Sequence, residues 1–190
     1  GANLSKANLE GTNLKGANLL NTDLSSANLS KTNLLMAKYN PKTKWPKGFN
    51  YLNSGAIGPN GNLNGANLQN ANLSGANLSE ENLSNKNIED ANLSNANLEF
   101  TNLQNANLSN ANLSNAKLDH TNLEGANLSG ANLSGAYGEW TNLEDANLSG
   151  ANLKNTNLTS IFLTNTNLSE ANLSGTEFHE SFFDVDLTRA

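Results

Sequence analysis

The side chains that could carry out catalysis are few and widely spaced. The chain has two histidines, His120 and His179, and neither stands in a metal-binding spacing such as H-E-x-x-H. It has no cysteine, which excludes thiol chemistry, disulfides and cysteine-ligated zinc. Adjacent acids such as Glu144 and Asp145 are typical of a solvated surface. We therefore expect no enzymatic activity, no cofactor and no metal site.

A more specific pattern joins residues that lie twenty positions apart. Acidic residues recur at this spacing, and a ring side chain directly follows each one, so that three steps are formed by Glu99, Phe100, Asp119, His120, Glu139 and Trp140. If positions twenty apart stack, these six residues form one outward face, which we call the candidate interaction surface. Stacked like charges are unfavourable unless something offsets them, so the face could bind a partner. The alternative is an aromatic ladder that only stabilises neighbouring strands.

A second cluster combines basic and aromatic residues in the segment 40–60, which also holds all three prolines. We call it the candidate docking loop, and its members are Lys42, Lys44, Trp45, Lys47 and Phe49. An inserted loop on a rigid scaffold often carries function, so it could dock a partner. The alternative is that the aromatic rings fold back and cover the scaffold. Three lysines are too few to indicate nucleic-acid binding.

Leucine provides the framework that positions both clusters. It returns every fifth residue along most of the chain, in a pattern written Ala/Thr-Asn-Leu-x-x, where the two x residues vary. Leucines five apart would move around the surface of a helix, and on a flat strand they would alternate between faces. They can all point inward only if the chain turns once in each repeat. The period therefore predicts a coil.

The choice between threonine and alanine indicates how many repeats make one coil. Thr101, Thr121 and Thr141 occupy the small position two residues before leucine, while the repeats between them mostly have alanine there. This predicts four repeats per coil. We divide the chain into eight repeats over 1–39, an inserted loop over 40–60, and 25 repeats over 61–185, with a C-terminal cap over 178–190.

The five-residue pattern resembles the pentapeptide repeat family over nearly the whole chain outside the loop, and the loop resembles an insertion in cyanobacterial members. The resemblance implies an all-β fold, a right-handed quadrilateral β-helix, here of about eight coils. In that fold leucine and the small residue point inward, and asparagine and the variable residues point outward. Some members bind DNA gyrase by presenting an acidic surface that resembles duplex DNA, which implies an alternative function.

Two departures from the pattern predict local irregularity. Gly138 stands where a leucine is expected, so we expect a gap or a bulge there, with Tyr137 folding over it. Glu81 and Lys86 occupy small inward positions, so their charges must be paired or must reach the surface.

Charge is unevenly distributed along the chain. Residues 1–60 carry seven lysines against two acids, a net charge of +5, and residues 61–190 carry four basic groups against fifteen acids, a net charge of -11, which together give -6. We expect a non-catalytic structural or protein-interaction module with an unidentified protein partner and no membrane or nucleic-acid binding. The first coil shows no capping sequence, which suggests end-to-end self-association. A bacterial cytoplasm is expected, or a periplasm or thylakoid lumen if an export signal was removed.

Overall fold

One turn of the chain takes twenty residues in the computed structural model, and each turn lies directly on the previous one. Asn127 pairs in parallel with Asn107 in the preceding coil and with Asn147 in the following coil. The Leu128 amide donates to the Asn147 carbonyl oxygen (2.7 Å), and the side chains of Ala126 and Leu128 are fully buried. Leucine fills the inside because only this residue and the small one before it point away from water.

The described residues are 1–51, 54–58, 63 and 68–179, and they fall within two compact units, Gly1–Ala66 and Asn67–Ala190. Each unit is an all-β quadrilateral β-helix, which confirms the predicted fold class. The division into repeat blocks drawn from the sequence stays a prediction, and the predicted cap lies outside the described residues beyond position 179.

Four tight turns form the corners of each regular coil. At one of them the Ala126 amide donates to the Leu123 carbonyl oxygen (2.9 Å), and Gly125 has a φ of 64°. A positive φ at the third of the four residues is the mark of a type II turn. From Asn70 to Gly175 the second variable residue of each repeat adopts the left-handed conformation, which favours glycine and asparagine.

Asparagine recurs because its amide makes two kinds of hydrogen bond. The Asn127 Oδ1 accepts from the Ser129 amide (3.2 Å) and so stabilises its own turn. Its Nδ2 donates to Asn107 Oδ1 (3.1 Å), and Asn147 Nδ2 donates to Asn127 Oδ1 (3.3 Å). One outward residue thus satisfies the corner and links three coils.

The threonines of the twenty-residue pattern are buried and hydrogen-bonded. Their hydroxyls donate to leucine carbonyl oxygens of the preceding coil, from Thr101 to Leu78 (2.8 Å), Thr121 to Leu98 (2.7 Å) and Thr141 to Leu118 (2.9 Å). This confirms that four repeats make one coil.

One side of the second unit is a three-stranded parallel sheet rather than a ladder of single bridges. Its strands are β1 (Tyr137–Glu139), β2 (Asn157–Thr159) and β3 (Glu177–His179), in the order β1-β2-β3. Gly138 lies at the centre of β1 and pairs with Leu158. A Cβ on Gly138 would lie 2.7 Å from the Leu118 carbonyl carbon, so the backbone of β1 lies too close to that of the preceding coil to admit a side chain. The predicted irregularity is present.

The predicted position of Tyr137 over this gap stays a prediction. The Tyr137 side chain is 47% exposed and lines a groove together with Gly138.

The segment 40–60 of the first unit is partly built into the coil. Lys44 pairs in parallel with Asp23, and Ile57 pairs with Lys38, at separations of 21 and 19 residues instead of 20. The sequence predicts a loop that leaves the coil over this whole segment. The pairing differs from that prediction: one residue is gained before Lys44, two are lost between Lys44 and Ile57, and the chain still pairs with the preceding coil at both places.

Thr43 shows why this part of the segment can join the coil. It is buried, and its hydroxyl donates to the Leu19 carbonyl oxygen (2.8 Å), as the inward threonines of the second unit do. Thr43, Lys44 and Trp45 therefore follow the repeat order of a small inward residue, a polar outward residue and a large residue.

Glu81 and Lys86 behave differently although both stand at inward positions. Glu81 is buried, with 5% of its surface exposed, whereas Lys86 is half-buried and reaches solvent. The coil continues through both, since the Asn102 amide donates to the Glu81 carbonyl oxygen and the Asn107 amide donates to that of Lys86 (both 2.9 Å).

Candidate interaction surface

Three ring side chains occupy left-handed corner positions of successive coils. The φ angles of Phe100, His120 and Trp140 are 56°, 53° and 56°. A bulky residue rarely adopts this conformation, because its Cβ crowds the following carbonyl oxygen. We call these three residues the aromatic corner.

The other corners of the same unit have a different composition. From Asn70 to Gly175, every left-handed residue on the other three corners is glycine, asparagine or aspartate, except Glu170. The corner that holds the three rings continues with Glu80 before them and Ser160 after them, and has neither glycine nor asparagine over that range. The departure is therefore confined to one edge of the β-helix.

The rings make contacts with each other and with a neighbouring side, but they do not form one continuous ladder. Phe100 and His120 are stacked, with centroids 4.7 Å apart and planes 6° apart. Trp140 instead lies against Phe162, at 6.3 Å with a 40° tilt. Phe100 remains 57% exposed and Trp140 46% exposed. The predicted stacking holds for the first pair, and about half of the Phe100 and Trp140 side-chain surface still faces solvent.

An ammonium group partly neutralises the acids beside the aromatic corner. Lys117 Nζ lies 2.6 Å from Glu99 Oε1 and 3.4 Å from Asp119 Oδ2. The hydrogen bond from Lys117 lowers the pKa of Glu99, and the bond to Glu99 raises the pKa of Lys117. The repulsion between the stacked carboxylates of Glu99 and Asp119 is thus reduced by Lys117 of the same chain.

Glu139 is the acid that this ammonium does not reach. Its backbone amide donates to Asp119 Oδ1 (2.8 Å), which replaces the asparagine cap that Tyr137 cannot supply. Within the described part of the chain, its carboxylate has no ion pair or hydrogen bond and it is exposed. A groove of about 220 Å³ opens beside it, and the groove is lined by Asp119, Tyr137, Gly138, Glu139, Asn157 and Thr159.

The aromatic residues of the candidate docking loop are packed against the first unit. Trp45 is stacked on Tyr51, with centroids 5.3 Å apart and planes 4° apart, and on Phe49 at 5.7 Å. It also meets the buried Tyr39 edge-on at 5.6 Å. This is the arrangement expected if the rings cover the coil.

The lysines of that loop stay in solvent. Lys42, Lys44 and Lys47 are exposed, and Lys44 Nζ forms an ion pair with Asp23 at 3.0 Å. The structure therefore joins the aromatic members of the loop in one cluster and leaves its charged members around it.

Several residues of this region were not identified from the sequence. Lys117, Asn157, Thr159 and Phe162 all stand in outward positions, and only Lys117 and Phe162 replace the usual asparagine. That replacement was the available signal for these two. Asn157 and Thr159 follow the ordinary pattern, so nothing in their identity indicated a groove.

The described residues contain no group of His, Cys, Asp or Glu side chains arranged to hold a metal ion. No helix long and apolar enough to cross a membrane occurs in the same part of the chain.

Comparison with known proteins gives one clear family. The chain matches the family described as pentapeptide repeats in eight copies, over residues 2–34, 60–90, 91–130, 106–145, 121–159 and 146–190. No curated protein matches the chain.

Solved structures of such proteins are also similar. HetL from Nostoc sp. strain PCC 7120, described as involved in heterocyst differentiation regulation, is 27% identical, with coverage of 94% of this chain and 86% of HetL and a TM-score of 0.44. A pentapeptide repeat protein from the Arabidopsis thaliana thylakoid lumen is 29% identical over 63% of this chain and 70% of its own, with a TM-score of 0.38. QnrB1, described as a plasmid-mediated fluoroquinolone resistance protein, is 19% identical over 96% and 88%, with a TM-score of 0.42.

Proposed function

The chain belongs to the pentapeptide repeat family, and we propose that it is a non-catalytic interaction module that binds a protein partner through its aromatic corner. The Glu99, Asp119 and Glu139 carboxylates beside the corner form part of the same surface. The fold supports this role because a β-helix holds side chains of successive coils about 4.8 Å apart on a rigid wall.

The observation that carries the proposal is that three bulky rings occupy positions that favour glycine or asparagine. The left-handed conformation costs a non-glycine residue about 1–2 kcal/mol. The contacts of Phe100 with His120 and of Trp140 with Phe162 return about 0.5–1.5 kcal/mol each. Folding alone therefore gains little from these rings.

Exposure of the rings points to binding rather than to packing. Phe100 and Trp140 are, with Tyr137, the large hydrophobic side chains that remain exposed in the described residues. Aromatic side chains dominate the energetics of protein interfaces, where they fill pockets of the partner. The neighbouring carboxylates would set the orientation and the association rate of the partner more than its affinity.

A capture experiment tests the proposal. The full chain is immobilised in three forms: wild type, Phe100→Asn with Trp140→Asn, and the control Asn115→Gly with Asn155→Gly, which alters another corner at the same spacing. Lysate from a cyanobacterium is passed over each, and the urea unfolding midpoint of each form is measured.

We expect a protein that is retained by the wild type and the control and lost with the double asparagine variant, at similar unfolding midpoints. Equal capture by all three forms would overturn the proposal. A large fall in the midpoint of the double asparagine variant would do so as well, because it would mean that the rings serve the fold.

The DNA-mimic alternative rests on the net charge of -11 carried by residues 61–190. It predicts inhibition or protection of DNA gyrase. A supercoiling assay at micromolar protein that shows neither effect would remove this alternative.

A further inference from the structure

The groove at Gly138 is a consequence of the missing leucine side chain. Where other repeats fill the coil with leucine, the backbone of β1 lies close against Leu118, and the outer wall has a recess between Asp119 and Thr159. The recess is open to solvent and lies on the side of the second unit that carries the three-stranded sheet.

The size of the groove suits one side chain. Its volume is about 220 Å³, whereas pockets for drug-sized ligands measure roughly 300–1,000 Å³. A group inserted from a partner protein is therefore a better match than a free small molecule.

The lining of the groove selects for positive charge. Glu139 contributes a carboxylate that has no ion pair or hydrogen bond among the described residues, and Asp119 contributes a second one. Over the described part of the candidate interaction surface, the three carboxylates of Glu99, Asp119 and Glu139 are accompanied by one ammonium group, that of Lys117. The net charge of residues 61–190 is also negative, which attracts cations from a distance.

The aromatic surface around the groove favours arginine over lysine as the cationic side chain that enters it. Tyr137 lines the groove, and Trp140 is exposed one residue beyond Glu139. A guanidinium group is planar, stacks on aromatic faces and pairs with a carboxylate through two parallel hydrogen bonds. The ammonium group of lysine lacks this planar geometry.

We infer that the groove at Gly138 receives an arginine side chain of the partner, stacked on Tyr137 and paired with Glu139. This rests on the proposed function, because it assigns the chemistry of the partner that the same surface binds.

The experiment uses the tripeptide acetyl-Gly-Arg-Gly-amide and its matched peptide with citrulline, which has the same shape without the charge. Each is titrated into the ¹⁵N-labelled full chain, and the Gly138 amide and the Trp140 indole are followed by NMR. We expect saturable shifts with the arginine peptide and no saturable shifts with the citrulline peptide.

Three variants locate the binding. We expect Glu139→Gln to lower the affinity for the arginine peptide about threefold to fivefold, which is the effect of losing an exposed ion pair. Glu144→Gln, the same change outside the groove, is expected to leave binding unchanged. The double variant Tyr137→Asn with Gly138→Leu restores the repeat pattern. We expect the arginine peptide to cause no saturable NMR shifts in this variant.

Equal shifts with the two peptides would overturn the inference, and so would equal weakening by Glu139→Gln and Glu144→Gln, which would show attraction by overall charge. Should the restored-pattern variant fail to fold, the two glutamine variants still decide the result. Absence of arginine binding while the aromatic corner still captures a partner overturns this inference alone. Equal capture by the corner variants overturns the proposed function.

Discussion

A single backbone angle gives the ring side chains their significance. Phe100 has a φ of 56° and is 57% exposed, so it bears the cost of the left-handed region without the benefit of deep burial. The recurrence of glycine and asparagine at the same place in other repeats was visible in the sequence. What periodicity cannot give is the sign of φ, because it reports which residues share a direction and not how the chain turns between them.

The backbone at Phe100 can be tested by comparing two substitutions. We expect Phe100→Gly to have a free energy of unfolding about 1 kcal/mol higher than Phe100→Ala, because both lose the ring stack and only glycine relieves the left-handed strain. Urea unfolding measures the difference. At Ser109, which lies outside the left-handed region, the order should reverse, with alanine the more stable. Alanine equal to or better than glycine at position 100 would contradict the turn geometry.

The coil as an element depends on its interior hydrogen bonds as well as on leucine. Thr121 is fully buried, and its hydroxyl donates to the Leu98 carbonyl oxygen at 2.7 Å. We expect Thr121→Val to lower the free energy of unfolding by about 1 kcal/mol, since valine keeps the shape and loses that bond. Thr159→Val, at a half-buried outward position, should change it by less than about 0.5 kcal/mol. Equal effects in urea unfolding would show that the buried bond contributes nothing.

Two elements show which structural features the repeat pattern does not determine. The twenty-residue period predicted the stacking of Thr101, Thr121 and Thr141, and it marked Gly138 as irregular. It could not show that the backbone of β1 would lie close against that of Leu118, because a missing side chain can leave a void or let neighbouring strands approach. Thr43 and Trp45 were assigned to a loop because one additional residue before Lys44 shifts them out of the five-residue period.

The whole molecule divides unequally in charge as well as in structure. The first sixty residues are basic and the remainder is acidic, and this asymmetry was fully readable from the sequence. The pairing of individual charges with opposite charges in neighbouring coils could not be read from the sequence. Lys117 reaches Glu99, and Lys44 reaches Asp23, across coils rather than along the chain. Such pairs can be found only when the stacking register is known.

The acid stability of the chain follows from these compensated carboxylates. The Ser25 hydroxyl and amide, with the Lys44 ammonium, lower the pKa of Asp23 from 3.8 to about 2, and the pKa of Glu99 is also lowered. A folded-state pKa below the unfolded value gives stability that is present above about pH 4 and is lost as the pH falls toward 2. Each unit therefore carries a carboxylate whose contribution to stability is lost in acid.

Asp23→Asn isolates that effect, because asparagine can still accept the Ser25 amide but does not titrate. We expect the difference in free energy of unfolding between wild type and Asp23→Asn to be constant from pH 7 to 5 and to decline steadily from pH 4 to 2, measured by urea unfolding. Lys44→Met should retain most of the decline, because the hydrogen bonds from Ser25 are the larger cause of the lowered pKa. A difference that does not change with pH would mean that Asp23 has no such partners in solution, and loss of the whole effect in Lys44→Met would assign it to the ion pair.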